Sequence, residues 1–172
     1  HSFGGTLMPA FQKAHPDRVA SMVLAQPVIG SGPLGAEKQA EIIAARENLL
    51  AELGVEAYAK QHAPRSVAAT ADAATVAKGI EVTSWTRPKG HLAQWRAMAR
   101  AEIFAEIGNE PCPSTVIAGA GDKTASQDVV KRIAAAIAGA RFVELPDVGH
   151  MIYLEHPDRF NGALEEHLAR VV

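Results

Sequence analysis

Three residues able to share one proton-transfer reaction stand far apart along this chain: Ser2, Asp122 and His150. Ser2 lies in His1-Ser2-Phe3-Gly4-Gly5, which reads as the turn pattern G-x-S-x-G with its first glycine lost to the chain start. A serine held on a sharp strand-to-helix turn projects its oxygen, and small flanking residues let that turn close, a need Gly4 is expected to meet. The helix that follows would aim its positive end at a carbonyl bound there. The Phe3 N–H would then be placed to stabilise a tetrahedral oxyanion. Ser-x-Gly-Gly also suits an ordinary turn, so the motif acquires meaning only with partners.

A serine hydroxyl is a poor nucleophile without a base. Of the seven histidines, His15 and His156 sit in His-Pro-Asp-Arg turns, His167 falls on the last helix, and His62 and His91 fall in a helical insertion. His150 alone combines a strand end with a preceding glycine, Gly149, that relieves crowding. The acid that orients such an imidazole should close another strand, as Asp122 does. Asp147 is too near His150 in sequence, and Asp128 opens a helix. The position one strand earlier is filled by Ala25-Gln26-Pro27, which offers no carboxylate.

The elements that must hold these residues alternate. A helix is expected over Phe3–Ala14, a turn at His15–Arg18, and a largely apolar strand over Val19–Val28 of the kind buried on both faces. From Gly35 to about Gly108 the text is alanine-rich and helical, with a stop at Gly54. A strand at Ser114–Ala120 follows Pro111 and Pro113, and Thr124–Gln127 matches a capping box before a helix over Val129–Ala138. A strand at Arg141–Leu145, the loop Pro146–His150 and a helix over Pro157–Val171 complete the order. Strands joined by helical crossovers imply an α/β fold with a parallel sheet, helices on both faces, and ligands at the strands' C-terminal ends. The expected division is a core of residues 1–33 and 109–172 with a helical lid, or cap, of residues 34–108.

Composition narrows the function classes. With 48% hydrophobic and 21% charged residues, the chain can bury one sizeable core. A net charge of −2 without a basic run argues against a nucleic-acid partner. No apolar stretch suggests a membrane span, and the lone Cys112 permits neither an internal disulfide nor a cysteine metal site. A cytoplasmic address is the simplest expectation. No cofactor and no metal are expected.

The blocks His-Ser-Phe-Gly-Gly, His-Pro-Asp-Arg-Val, Val-Ile-Ala-Gly-Ala-Gly-Asp and Gly-His-Met-Ile-Tyr-Leu-Glu-His-Pro-Asp-Arg-Phe together resemble the α/β-hydrolase family over nearly the whole chain. Ser2, Asp122 and His150 follow the family's triad order, and Ser2 rather than aspartate speaks against a haloalkane dehalogenase. The insertion and the final block are most similar to 3-oxoadipate enol-lactonases, carboxylesterases and carbon–carbon bond hydrolases of aromatic degradation. The resemblance implies cleavage of a small-molecule ester or lactone through an acyl-enzyme. A carbon–carbon bond hydrolase on the same triad, and a non-catalytic ligand-binding member, stay open. Trp85 and Trp95 either anchor helix packing or line the pocket with Tyr58 and Met98. His1 and Met151 are further candidate substrate contacts, and Arg87 or Arg96 could meet a substrate carboxylate. Family members begin with several strands and a loop that carries a second oxyanion donor. An N-terminal half of the fold is therefore an expected partner, with a second copy of the chain as another.

Overall fold

The computed structural model describes residues 1–108 and 112–171. Three strands, β1 (Met22–Ala25), β2 (Ser114–Gly119) and β3 (Arg141–Leu145), form one parallel sheet in that order. Leu24 lies level with Val116, and Val116 with Phe142. Every residue of β2 is buried, because the strand has a neighbour on each side and helices on each face.

Successive side chains on a strand point to opposite faces, and the two halves of the core follow that alternation. Leu24, Val116 and Ala118 pack with Ile103, Val130 and Ile133. Those partners come from helices α5 (Ile103–Glu106) and α6 (Gln127–Ala136), with Met8 of helix α1 (Phe3–Ala14) at the margin. On the other face, Ala25, Ile117 and Leu145 pack with Ile152 and Ala163 from helices α7 (Ile152–Glu155) and α8 (Pro157–Val171).

The expected α1, β3 and α8 form with the expected limits, whereas β1 is shorter than the apolar run Val19–Val28. Val19 still closes the turn Pro16–Arg18, and Gln26, at φ 47°, takes the backbone out of the extended region before Pro27. The two His-Pro-Asp-Arg segments share one conformation at their histidines, φ −140°, ψ 61° at His15 and φ −141°, ψ 68° at His156. A following proline disfavours the helical region for the residue before it, which is why α1 and α7 stop there. The capping box expected at Thr124–Gln127 does not form. Helix α6 begins at Gln127 without a side-chain cap, and the Thr124 N–H donates instead to Asp122 Oδ1 at 2.6 Å. Pro113 leads into β2, its carbonyl accepting from Met22 N at 2.9 Å; Pro111 lies outside the described residues.

Between β1 and β2 the chain is helical: α2 (Gly35–His62), α3 (Ala73–Ser84), α4 (Pro88–Arg100) and α5. Gly54, at φ 69° and ψ 171°, interrupts α2, so the expected stop is a kink after which helix resumes to His62. This insertion leaves and re-enters the core at one neck. Ser31 N donates to Met98 O, Gly32 N to Ala101 O, and Ile103 N to Ile29 O, at 3.1, 2.9 and 2.9 Å. A side chain at Gly30, where φ is +88°, would lie 2.1 Å from Ala101 O, so the neck requires glycine there. Among the described residues no helix is long and apolar enough to cross a membrane.

Ile117, fully buried at the centre of the sheet, tests the two-faced core. Ile117→Ala should lower the unfolding free energy by about 2–5 kcal/mol in urea titration, whereas Leu34→Ala, at a site 56% exposed, should change it by less than about 0.5 kcal/mol.

Candidate active site

All three chemistry-bearing residues sit at the same end of the sheet. Ser2 precedes α1 with φ 52° and ψ −126°, a conformation that costs a non-glycine residue about 1–3 kcal/mol. Its neighbours hold it there. Ser2 N donates to Ala25 O at the end of β1 (2.9 Å), and Ser2 O accepts from Thr6 N in the first turn of α1 (3.2 Å). The small residue that permits this turn is Gly5, not Gly4. A side chain at Gly5 would press within 3.2–3.3 Å of Pro27, whereas at Gly4 it would meet nothing within 4 Å beyond its chain neighbours and its own helix backbone.

Asp122 follows β2, its backbone tied back by Asp122 N to Gly119 O at 3.2 Å and Gly121 N to Val148 O at 2.8 Å. Its side chain is completely buried. Oδ1 accepts from Thr124 N, and Oδ2 lies 2.7 Å from His150 Nδ1. A carboxylate only accepts, so this contact places the imidazole proton on Nδ1 and leaves Nε2 as an acceptor. Ser2 Oγ lies 2.9 Å from that Nε2. A hydroxyl, an imidazole and a carboxylate thus form one hydrogen-bonded chain, in which the hydroxyl proton can pass to an imidazole whose positive charge the carboxylate would offset. Asp147 is exposed, at φ 59°, and Asp128 lies in the first turn of α6.

The His150 loop is covered by the insertion. His150 N and Met151 N both donate to Ser66 O, at 3.0 and 3.1 Å, a contact with no local sequence signal. The residues suggested as substrate contacts separate. His1 Nε2 donates to His150 O at 2.7 Å, and its ring packs 5.0 Å from Tyr153, which lies on α7. Met151 faces Gly79 of α3. Trp85, at the end of α3, is 65% exposed, with Lys78 Nζ 5.9 Å from its ring. Trp95 donates from Nε1 to His91 Nε2 at 2.9 Å, under the Arg46 guanidinium at 4.0 Å. Since Trp95 can only donate, His91 carries its proton on Nδ1. Tyr58, almost fully buried, lies against His91 and stacks on His62 at 5.1 Å. Arg96 pairs with Glu47, and Arg87 is exposed just before α4.

Burial lowers the His62 pKa to about 4, with the positive charge of Arg46 next in importance and smaller contributions from His91, His150 and Arg65. Burial and Arg46 also lower that of His91. Both imidazoles of this aromatic cluster are therefore neutral at neutral pH. His167 on α8, expected only as a helix residue, is buried under β2, where Nδ1 meets Thr115 Oγ1 at 2.9 Å.

The sequence model described as "Alpha/beta hydrolase family" matches residues 1–163. A pimeloyl-[acyl-carrier protein] methyl ester esterase from Chromobacterium violaceum is 25% identical over 177 aligned positions, covering 97% of this chain and 67% of that protein. Among solved structures, a thermophilic esterase from Thermogutta terrifontis superposes with a TM-score of 0.84 at 22% identity, over 99% of this chain and 63% of its own. The enol-lactonase from Burkholderia xenovorans LB400 superposes with a TM-score of 0.78 at 28% identity, over 98% and 63%. The chain therefore spans a little under two thirds of these solved chains.

His62 gives a pH prediction. Its folded pKa, about 4, lies below the unfolded value of 6.5, so between those limits the unfolded state binds the extra proton and stability falls as pH drops. The contribution is fully present above pH 6.5 and fully lost below about 4. Melting curves from pH 7 to 4 should decline less steeply for His62→Gln than for the wild type, and parallel declines would refute this account.

Proposed function

The chain belongs to the alpha/beta hydrolase family, and on that footing we propose that it is a serine hydrolase that cleaves a carboxylic ester or lactone through an acyl-enzyme. The observation that carries this reading is the unbroken contact from Asp122 Oδ2 to His150 Nδ1 and from His150 Nε2 to Ser2 Oγ, at 2.7 and 2.9 Å. Two relatives act on substrates of this class by name, a methyl ester esterase and an enol-lactonase.

In the proposed reaction Ser2 Oγ attacks the carbonyl carbon while its proton moves to His150 Nε2. Asp122, bonded to Nδ1, stabilises the imidazolium and keeps the ring in the orientation that faces the serine. The Phe3 N–H, at the start of α1, would donate to the oxyanion, aided by the helix's positive end. Collapse of the tetrahedral intermediate breaks the bond to the leaving oxygen, which takes the proton from His150, and leaves the acyl group on Ser2. Water then attacks the acyl carbon, giving its proton to His150, and the second collapse returns that proton to Ser2 and releases the acid. A lactone follows the same steps, with the leaving hydroxyl still joined to the acyl group.

Tyr58, His62 and Trp95 are proposed to form the lid side of the substrate cleft, and His1 and Met151 the side nearest the base. Trp85 is better matched to solvent than to substrate, given its exposure. The cytoplasm is the proposed compartment, on the strength of the single buried cysteine.

A fluorophosphonate probe should label the wild type at Ser2, read at the peptide by mass spectrometry, and Ser2→Ala should carry no label and no esterase activity. Asp122→Asn should bind substrate but lose about 10⁴-fold in kcat, because an amide can favour the wrong imidazole tautomer. A folded wild type that neither labels nor turns over esters would exclude the reading.

A further inference from the structure

Gly149 precedes the proposed base, and both of its backbone polar groups are held by side chains from other elements. Gly149 N donates to Glu155 Oε2 at 2.9 Å, from the end of α7. Gly149 O accepts from Gln26 Nε2 at 3.1 Å, from the fully buried residue that follows β1. The same Glu155 oxygen accepts from Ala68 N at 2.8 Å, in the lid loop between α2 and α3. That loop already receives His150 N and Met151 N at Ser66 O. A side chain at position 149 would lie 2.3 Å from Ala68 N and 2.5 Å from Val67 C, so the two backbones are in direct contact.

Glu155 is a costly choice for a merely structural bridge. Its Oε1 is buried and has no hydrogen-bond partner among the described residues, and a buried acceptor without a donor is unfavourable. What the carboxylate supplies is one strongly accepting oxygen on which two N–H groups converge. One of those N–H groups belongs to the base's loop and the other to the lid.

We propose that Glu155 is a positioning residue: it pins the Gly149–His150 peptide to the lid loop at Ala68 and so sets the distance from the imidazole to Ser2. The inference rests on the serine-hydrolase reading. Because one oxygen joins both segments, the lid loop and the base keep their relative placement, and the loop cannot lift without breaking Ala68 N to Glu155 Oε2 and the bonds of His150 N and Met151 N to Ser66 O. Misplacement of a reacting group by an ångström is enough to cost about 100-fold in rate.

The test uses the intact protein well below its melting temperature. The readouts are the rate of Ser2 labelling by a fluorophosphonate, and kcat and KM for a p-nitrophenyl ester. Glu155→Ala should lose about 10- to 100-fold in labelling rate and kcat, with KM changed by less than about threefold. Glu155→Gln, whose amide oxygen can still accept from both N–H groups, should recover most of that loss. A purely structural role would lower the melting temperature of Glu155→Ala and leave the labelling rate of the folded protein unchanged, and that result overturns the proposal. If Glu155→Ala does not fold, Glu155→Asp keeps the charge but shortens the reach by one methylene. It should show the same loss, and a wild-type rate in it is equally fatal. A wild type that is never labelled at Ser2 overturns the hydrolase reading and this inference together, whereas a labelled wild type matched by its variants overturns this inference alone.

Discussion

The passage of one backbone over another at the end of β2 is the constraint on which the site depends. At Gly119 an added side chain would meet Val148 O at 2.4 Å and Gly149 O at 2.7 Å, with Gln26 Nε2 at 2.9 Å. Only a residue without a side chain lets the His150 loop descend that far onto the sheet. Once it does, Gly121 N reaches Val148 O and Ala120 N reaches Leu145 O, and Asp122 and His150 meet without either loop being stretched. The parallel order of the strands makes this possible, because consecutive C-terminal ends deliver their loops to the same side.

Ser2 depends on a similar fit. Its backbone conformation is unfavourable in isolation, and such strain persists only where the surroundings over-determine it. Here Ala25 O, the first turn of α1 and the close contact of Gly5 with Pro27 leave the turn little freedom. The arrangement exposes a hydroxyl at the start of a helix, next to N–H groups that a helix leaves without internal partners. Strain and chemistry therefore share a cause, since the turn that is costly for the backbone is the one that brings the oxygen to His150.

The helical insertion meets the rest of the chain at two places. Its neck is closed by hydrogen bonds between residues 29–32 and 98–103, and its loop at Ser66–Ala68 is bonded to the His150 loop through Ser66 O. Arg46 lies over Trp95 and helps keep His62 and His91 neutral. These helices are thus tied to the His150 loop by hydrogen bonds, although none of their residues joins the Ser2–His150–Asp122 chain.

Sequence alone was enough to recognise the family, the parallel α/β arrangement, the limits of α1, β3 and α8, and the residues proposed for the reaction. These depend on local patterns: apolar runs of strand length, glycines and prolines that end elements, and a serine, an aspartate and a histidine each placed where a strand closes. Tertiary structure decided what depends on distant segments meeting. It showed that Gly5 and not Gly4 faces Pro27, that Thr124 serves Asp122 and not α6, and that Trp85 lies in solvent while Tyr58 and His167 are buried. It also brought Gln26, Ser66 and Glu155 to the His150 loop from 123, 84 and 6 residues away in sequence. No periodicity records such contacts, because a hydrogen bond to a loop backbone constrains where a side chain ends and leaves no repeat in the residues around it.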